Sequence, residues 1–139
     1  MSGFVLDCSA TLPWVFANEA KPATDALLDE LASGGHAWVP GLWHLELANA
    51  LLGARRRGLI DKAGTEKFLA TLRSLDIEVD DETTSVAWTG ILALGEAYGL
   101  TAYDAAYLEL ALRKGLPLAS LDLQLRKACA KAGGRLLLL

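Results

Sequence analysis

Short apolar runs alternate with longer segments of helical periodicity along this chain. Apolar runs that end in turn-forming or polar residues predict strands, at residues 3–6, 37–39, 77–79, 117–120 and 135–139. Apolar residues that recur every three or four positions predict helices, at residues 10–17, 24–32, 42–57, 62–75, 84–98, 101–114 and 123–132. Because apolar strands alternate with helices, we expect an α/β fold whose mainly parallel sheet is covered on both faces.

One domain is the simplest organisation for the chain, residues 1–139. A chain of this length can bury one substantial core, and its hydrophobic fraction of 53% is that of a globular protein. Its longest apolar runs, such as residues 136–139, are far shorter than the roughly 20 residues of a membrane span. The N-terminus shows no signal peptide, and two cysteines do not suggest a disulfide framework. We therefore expect a cytoplasmic protein that does not bind a membrane.

The formal net charge of −4 argues against a protein that binds nucleic acid simply by being basic. Charges are nevertheless clustered, with acids at residues 76–82 and bases at residues 55–57 and 113–135. Such clusters are most often solvated faces, so they do not by themselves identify a partner.

Four carboxylates occupy comparable positions relative to the predicted strands. Asp7 directly ends the first strand, and Asp122 follows the strand at residues 117–120. Glu46 and Asp104 lie in the first turns of predicted helices. Because crossover helices run antiparallel to the strands, all four side chains are expected at one edge of the sheet.

Four acids at one edge need a counter-charge, because like charges at close range raise the pKa of some of them and destabilise the fold. A divalent metal supplies that charge. Carboxylate and water oxygens are the ligands that Mg²⁺ and Mn²⁺ prefer, and the chain has no cluster of histidines and cysteines that would indicate zinc. A water bound to such a metal is a nucleophile suited to phosphodiester hydrolysis.

Each acid also has a structural alternative. Asp104 lies three residues after Thr101, which makes a capping box, and Asp122 can cap the helix that follows it. Glu46 can be an acid that the helix dipole favours, and Asp7 can belong to an Asx turn. The residues alone leave these alternatives open.

Four stretches of the chain together resemble the PIN-domain family, and within it the VapC-type toxins of prokaryotic toxin–antitoxin pairs. The stretches are LDCSATLPWVFANE, LWHLELANALLGARRRGLI, LTAYDAAYLELALRKGLPLASLD and LRKACAKAGG. The resemblance covers nearly the whole chain. It implies a PIN-like three-layer α/β/α sandwich with a short, mainly parallel sheet. It also implies a metal-dependent endoribonuclease that uses Mg²⁺ or Mn²⁺.

The resemblance implies roles for the four acids and for three residues near them. The family's first acid matches Asp7, its helical Glu matches Glu46, and its later acids match Asp104 and Asp122. These residues would hold one or two metal ions, and a metal-activated water would leave a 3′-hydroxyl and a 5′-phosphate. The residues that match supporting positions of the family are Ser9, Asn49 and Ser120.

An acidic site needs basic residues nearby to hold a polyanion such as RNA. Arg126 and Lys127 begin about one turn after Asp122 and are the expected RNA contacts. Trp14 lies about one turn after the loop at Asp7. It is a candidate for stacking on a base, with packing in the core or at an interface as the alternative.

The resemblance implies two protein partners, a cognate antitoxin and a second copy of the chain. Two apolar stripes are compatible with a homodimer, because they offer more apolar surface than one small sheet obviously covers. The stripes consist of Leu27, Leu28 and Leu31 and of Trp43, Leu47 and Leu51. The alternative is that both stripes pack on the sheet.

Three other functions fit parts of the pattern. A catalytically silent PIN-like module that binds RNA or protein is the main alternative, although all four acids are retained. A receiver-like phospho-acceptor domain would normally show a paired acid near the first strand and a late lysine, and the acids here are spaced differently. A flap-cleaving DNA nuclease would need a longer chain. The sequence does not reveal the RNA target.

Overall fold

A four-stranded parallel sheet lies at the centre of the computed structural model, which describes residues 3–137. Its strands are β1 (Phe4–Leu6), β2 (Ala37–Val39), β3 (Ile77–Val79) and β4 (Leu118–Ala119), in the spatial order β3-β2-β1-β4. Val5 of β1 is paired with Trp38 on one side and with Leu118 on the other, and every pairing is parallel. The predicted α/β fold with a short parallel sheet is therefore confirmed.

Helices connect the strands and cover the sheet. In chain order they are α1 (Cys8–Thr11), α2 (Pro22–Ala32), α3 (Trp43–Arg56), α4 (Lys62–Arg73), α5 (Thr83–Val86), α6 (Leu92–Tyr98), α7 (Ala102–Lys114) and α8 (Leu123–Lys131). Short 3₁₀ helices follow α1, and a π-helical segment, Ala87–Ile91, joins α5 to α6. Within residues 3–137, no helix is both long and apolar enough to cross a membrane.

The first helix begins earlier and ends earlier than predicted. The prediction was residues 10–17, whereas α1 starts at Cys8 and gives way to a 3₁₀ helix at Leu12–Trp14. Pro13 lies in this 3₁₀ helix and has no N–H group for a helical hydrogen bond. A regular α-helix through this position is therefore disfavoured.

Two further elements depart from the predicted pattern. The helix predicted at residues 84–98 contains the π-helical segment, which an apolar periodicity does not distinguish from an α-helix. The last strand, predicted at residues 135–139, reduces within the described residues to one parallel bridge between Leu136 and Leu118. The final two residues of that prediction lie outside the described part of the chain.

The apolar stripes of α2 and α3 pack inside the chain. Their buried members belong to the main core and are Leu27, Leu31, Trp43, Leu47 and Leu51, whereas Leu28 is half-buried. Spacing of three or four residues places each stripe on one helix face, and that face is buried in the main core. The stripes are thus accounted for by the fold of one chain and do not by themselves indicate a homodimer.

The carboxyl ends of β1 and β4 lie side by side and set the position of the candidate site. The N–H of Asp7 donates to the carbonyl of Ala119 at 3.0 Å, so the residues that follow the two strands meet at one edge. The first turns of α3 and α7 bring Glu46 and Asp104 near this edge, where the charge of Asp7 contributes to the raised pKa of both carboxyl groups.

Candidate active site

Asp7 is the most buried acid of the candidate site. Its side chain lies directly after β1 and is 6% exposed. The hydroxyls of Ser9 and Ser120 both donate to its Oδ2 atom, each at 2.7 Å. Two of the three predicted supporting residues therefore hold the same carboxylate oxygen, Ser9 from α1 and Ser120 from the loop after β4.

The two serines also join the start of α1 to the loop after β4. The Ser9 hydroxyl accepts a hydrogen bond from the N–H of Leu121 at 2.9 Å, and the Ser120 hydroxyl accepts one from the N–H of Asp122 at 3.1 Å. Each hydroxyl thus donates to Asp7 and accepts from the neighbouring backbone. This network fixes where Asp122 stands relative to Asp7.

Glu46 lies in the first turn of α3 and is oriented by Tyr107 of α7. The Tyr107 hydroxyl donates to Oε1 of Glu46, and the tyrosine side chain is fully buried. The sequence analysis missed Tyr107. Its signal was its position three residues after Asp104, hence on the same helix face, together with the need of a buried tyrosine hydroxyl for an acceptor.

Asp122 and Asp104 lie at the starts of helices, where the alternative was that they serve as helix caps. Asp122 is the N-cap of α8, and its Oδ1 atom accepts from the N–H of Leu125 at 2.8 Å. Capping therefore uses one of its two carboxylate oxygens. At the start of α7 the Thr101 hydroxyl accepts from the N–H of Asp104 at 3.1 Å. Within the described residues no hydrogen bond to the Asp104 carboxylate is present.

The acids at this edge raise one another's pKa. Burial is the largest cause of the raised pKa of Asp7, Glu46 and Asp104. The charge of Asp122 adds to the effect at Asp7 and Asp104, and the charge of Asp7 adds to it at Glu46 and Asp104. Hydrogen bonds from the two serines and from Tyr107 act in the opposite direction. The direction of these pKa shifts supports the predicted crowding of the acids at this edge.

A tighter acidic group lies directly after β3. The carboxylate oxygens of Asp80, Asp81 and Glu82 come within 4.8 Å of one another, whereas no three of the candidate site's acids do so within residues 3–137. The Arg113 guanidinium lies 2.6 Å from Asp80 and 3.0 Å from Glu82 and forms ion pairs with these two members of the group. In the described part of the chain, no basic nitrogen lies within 4.0 Å of the candidate site's carboxylates.

Comparison with known families identifies the fold. The PIN domain matches this chain over residues 4–131. The chain belongs to the PIN-domain family. The resemblance inferred from the sequence motifs is thereby confirmed. No curated protein is significantly similar to the chain in sequence.

Solved structures share the PIN fold of this chain. PAE2754 from Pyrobaculum aerophilum is 22% identical, with a TM-score of 0.68 over 91% of this chain and 84% of that chain. A toxin–antitoxin complex from Klebsiella pneumoniae is 17% identical, with a TM-score of 0.53 over 86% of each chain. VapBC2 from Rickettsia felis, bound to a DNA fragment from its promoter, is 15% identical, with a TM-score of 0.58 over 90% of this chain and 91% of that chain. At these identities the likeness shows the fold.

Asn49 stands apart from the serine network of this PIN domain. It is exposed on α3, one turn after Glu46. Within the described residues its side chain makes no hydrogen bond to Glu46 or to the other acids. Its supporting role stays a prediction.

The two basic residues predicted to bind RNA, Arg126 and Lys127, lie in different surroundings. Nη1 of Arg126 donates to the carbonyls of Ser120 at 2.9 Å and Leu137 at 3.1 Å, so this side chain braces the C-terminal segment against β4. Lys127 is exposed beside Lys131, in a hollow between α6 and α8. An RNA contact from Arg126 would have to use its remaining N–H groups.

Trp14 packs in the manner of a core residue. Its indole N–H donates to the carbonyl of Thr24 at 2.7 Å, and its ring lines a hollow with Ile60 and Phe68 of the neighbouring segments. The core alternative accounts for these contacts. Base stacking by Trp14 stays a prediction that none of these contacts supports.

Proposed function

We propose that this PIN domain is a metal-dependent endoribonuclease and the toxin of a toxin–antitoxin pair. One observation carries the proposal, the group formed by Asp7, Glu46, Asp104 and Asp122. Three of these acids have a raised pKa through burial and mutual repulsion, and no basic nitrogen of the described residues balances them. Membership of a family whose members are generally nucleases supports hydrolysis of a nucleic acid.

The donor atoms suit Mg²⁺ or Mn²⁺. All four proposed ligands are carboxylates, and oxygen donors favour such hard cations. Mg²⁺ commonly keeps several waters and uses one or two carboxylates, so the acids need not close into a tight cage. The neighbouring thiol of Cys8 is a poor ligand. Burial, with the charges of Asp7 and Glu46, raises its pKa to about 12, so it stays protonated.

The chain's own residues prepare the carboxylates for the reaction. A divalent ion, when bound, supplies an activated water and polarises the scissile phosphodiester. Ser9 and Ser120 hold Asp7 by one oxygen, and Tyr107 holds Glu46 by another. Carboxylates that are already oriented need little rearrangement when the ion and the substrate arrive.

The proposed partners are RNA, a cognate antitoxin and a second copy of the chain, in the cytoplasm. The similar structures from toxin–antitoxin complexes support an antitoxin. Size-exclusion chromatography with light-scattering detection measures the molar mass of the purified chain and so tests the homodimer directly.

RNA cleavage by the purified, partner-free chain tests the function. Total RNA and single-stranded DNA are incubated in parallel with Mg²⁺, with Mn²⁺ and with EDTA. We expect discrete RNA fragments that are absent in EDTA and absent with Asp104→Asn. The matched control is Asp81→Asn, which removes an exposed acid of the other acidic group and should cleave as the wild type does.

Each failure has a distinct meaning. No cleavage of RNA by a folded chain that binds metal would favour the alternative, a catalytically silent PIN-like module that binds RNA or protein. Activity that survives Asp104→Asn and is lost with Asp81→Asn would move the metal to the group after β3. Cleavage of DNA in preference to RNA would change the substrate class.

A further inference from the structure

A hollow of about 420 Å³ adjoins the candidate active site. Ser9 and Asp122 of that site line it, and so does Lys21, which directly precedes α2. Its volume falls within the range of roughly 300–1,000 Å³ that is typical of ligand sites. An acid of the candidate site and a cation therefore border one common space.

The rest of the lining is mainly apolar. Leu12, Pro13 and Leu121 contribute apolar surface, and Glu19 contributes a second acid. Apolar surface suits the ribose and base of a nucleotide, and a lysine suits its phosphate. The Glu19 carboxylate should repel a phosphate in this hollow, whereas the Lys21 ammonium group should attract it.

The ammonium group of Lys21 has no acidic partner in the described part of the chain. The side chain is exposed, and no carboxylate of residues 3–137 lies within 4.0 Å of its nitrogen. The turn at this position is held through the backbone instead. The Thr24 hydroxyl accepts from the Lys21 N–H at 3.3 Å and donates to the Lys21 carbonyl at 3.0 Å. Changing the Lys21 side chain therefore leaves these bonds in place.

Other basic side chains of this region have different surroundings. The Nη1 group of Arg126 donates hydrogen bonds to two backbone carbonyls. Lys127 lies beside Lys131 in a different hollow. Arg113 binds the acids that follow β3 and α7's own Glu109. A polyanion at an acidic site needs a positive charge close by, and Lys21 supplies one in a space that reaches Asp122.

We propose that the hollow bordered by Lys21, Ser9 and Asp122 binds the nucleotide next to the scissile bond of single-stranded RNA, with Lys21 contacting its phosphate. This inference rests on the proposed ribonuclease function. It assigns substrate binding to Lys21, a residue that the sequence motifs did not single out. The apolar residues of the hollow contact the sugar and base without reading a sequence.

RNA binding by the full chain tests the proposal. Fluorescence anisotropy with a short labelled single-stranded RNA is measured in Mg²⁺ on the Asp104→Asn background, so that the RNA is not consumed. Each phosphate contact on a single strand contributes a slope of about 0.7 to the fall of log affinity with log salt concentration. Loss of one such contact therefore lowers the affinity about eightfold at about 50 mM salt and about threefold at about 200 mM. Lys21→Met should produce these losses, and Glu19→Gln should strengthen binding.

A matched lysine and a modified RNA make the result specific. Lys62→Met removes an exposed lysine from the first turn of α4 and should leave affinity unchanged. Replacing single phosphates by neutral methylphosphonates should abolish the effect of Lys21→Met at one position of the RNA. Equal losses of RNA affinity for Lys21→Met and Lys62→Met would mean that only the net charge of the chain matters, and this would overturn the proposal.

The two levels of the proposal fail separately. An unchanged affinity and salt slope for Lys21→Met, in a chain whose wild type cleaves RNA, would overturn this subsite and leave the ribonuclease function standing. A wild type that neither binds nor cleaves RNA would overturn both.

Discussion

Asp7→Asn should stabilise the metal-free chain although it removes an acid of the proposed site. Asp7 is 6% exposed, and burial raises its pKa above the ordinary value of 3.8. At neutral pH the fold therefore holds a carboxylate that the unfolded chain solvates better. Both serine hydroxyls donate to Oδ2, so the amide oxygen of an asparagine can accept both hydrogen bonds.

The expected gain in the free energy of unfolding is about 1–2 kcal/mol. The desolvation penalty of a buried polar group is about 1–3 kcal/mol, and it is larger when the group is charged. The hydroxyl bonds to a charged acceptor are stronger than those to an amide, and their weakening cancels part of the gain. In a domain of this size 1 kcal/mol shifts Tm by about 4 °C, so the variant should melt about 4–8 °C above the wild type in EDTA.

Thermal unfolding with and without metal, over a range of pH, checks the prediction. Addition of Mg²⁺ or Mn²⁺ should stabilise the wild type and leave Asp7→Asn unchanged. In EDTA the difference between the two proteins should shrink as the pH falls through the raised pKa of Asp7. Below the ordinary value of 3.8 it should vanish, because the carboxyl group is then protonated in both the folded and the unfolded state.

Asp81→Asn is the control, since Asp81 is exposed and its removal should change the stability in EDTA by less than about 0.5 kcal/mol. A loss of about 1 kcal/mol or more for Asp7→Asn in EDTA would refute the reasoning. It would mean that the serine hydrogen bonds outweigh the cost of burying the charge.

Three further predictions follow from the contacts around the site. Tyr107→Phe should weaken Mn²⁺ binding about tenfold, because Glu46 loses the hydroxyl that orients it, and an unchanged affinity in calorimetric titration would remove Tyr107 from the site. Arg113→Met should lower the free energy of unfolding in urea by about 2–3 kcal/mol, because Asp80 is 3% exposed and would keep its charge without a partner. Mn²⁺ affinity should continue to rise with pH above the ordinary carboxyl pKa values of 3.8 and 4.5, since acids with a raised pKa must ionise before they bind metal, and a flat profile there would contradict this.

The strands and most helices could be predicted because their signals are local. An apolar run of three residues between His36 and the turn-forming Pro40-Gly41 marks β2 without reference to the rest of the chain. The glycines at positions 99 and 115 mark the ends of α6 and α7, and both adopt the left-handed conformation, with φ of 64°, that favours glycine. The π-helical segment had no such signal, because its apolar spacing resembles that of an α-helix.

The partners of individual polar groups could not be predicted in the same way. Tyr107 contacts Glu46 across 61 positions of the chain, and Ser120 contacts Asp7 across 113. Spacing along the sequence carries no information about such distant pairs. The same holds for Arg126, whose nearness to Asp122 in sequence suggested an RNA contact, whereas its Nη1 group binds two carbonyls.

The sequence by itself determined the class of fold and the order of the elements, and it predicted one edge of the sheet for the four acids. These follow from apolar periodicity and from the antiparallel course of crossover helices, which are properties of short segments and of their order. Only the tertiary structure decided which acids are balanced and which are not. Arg113 forms ion pairs with Asp80 and Glu82 after β3, whereas Asp7 and Glu46 receive only hydroxyl groups, because packing brings together side chains that lie far apart in the chain.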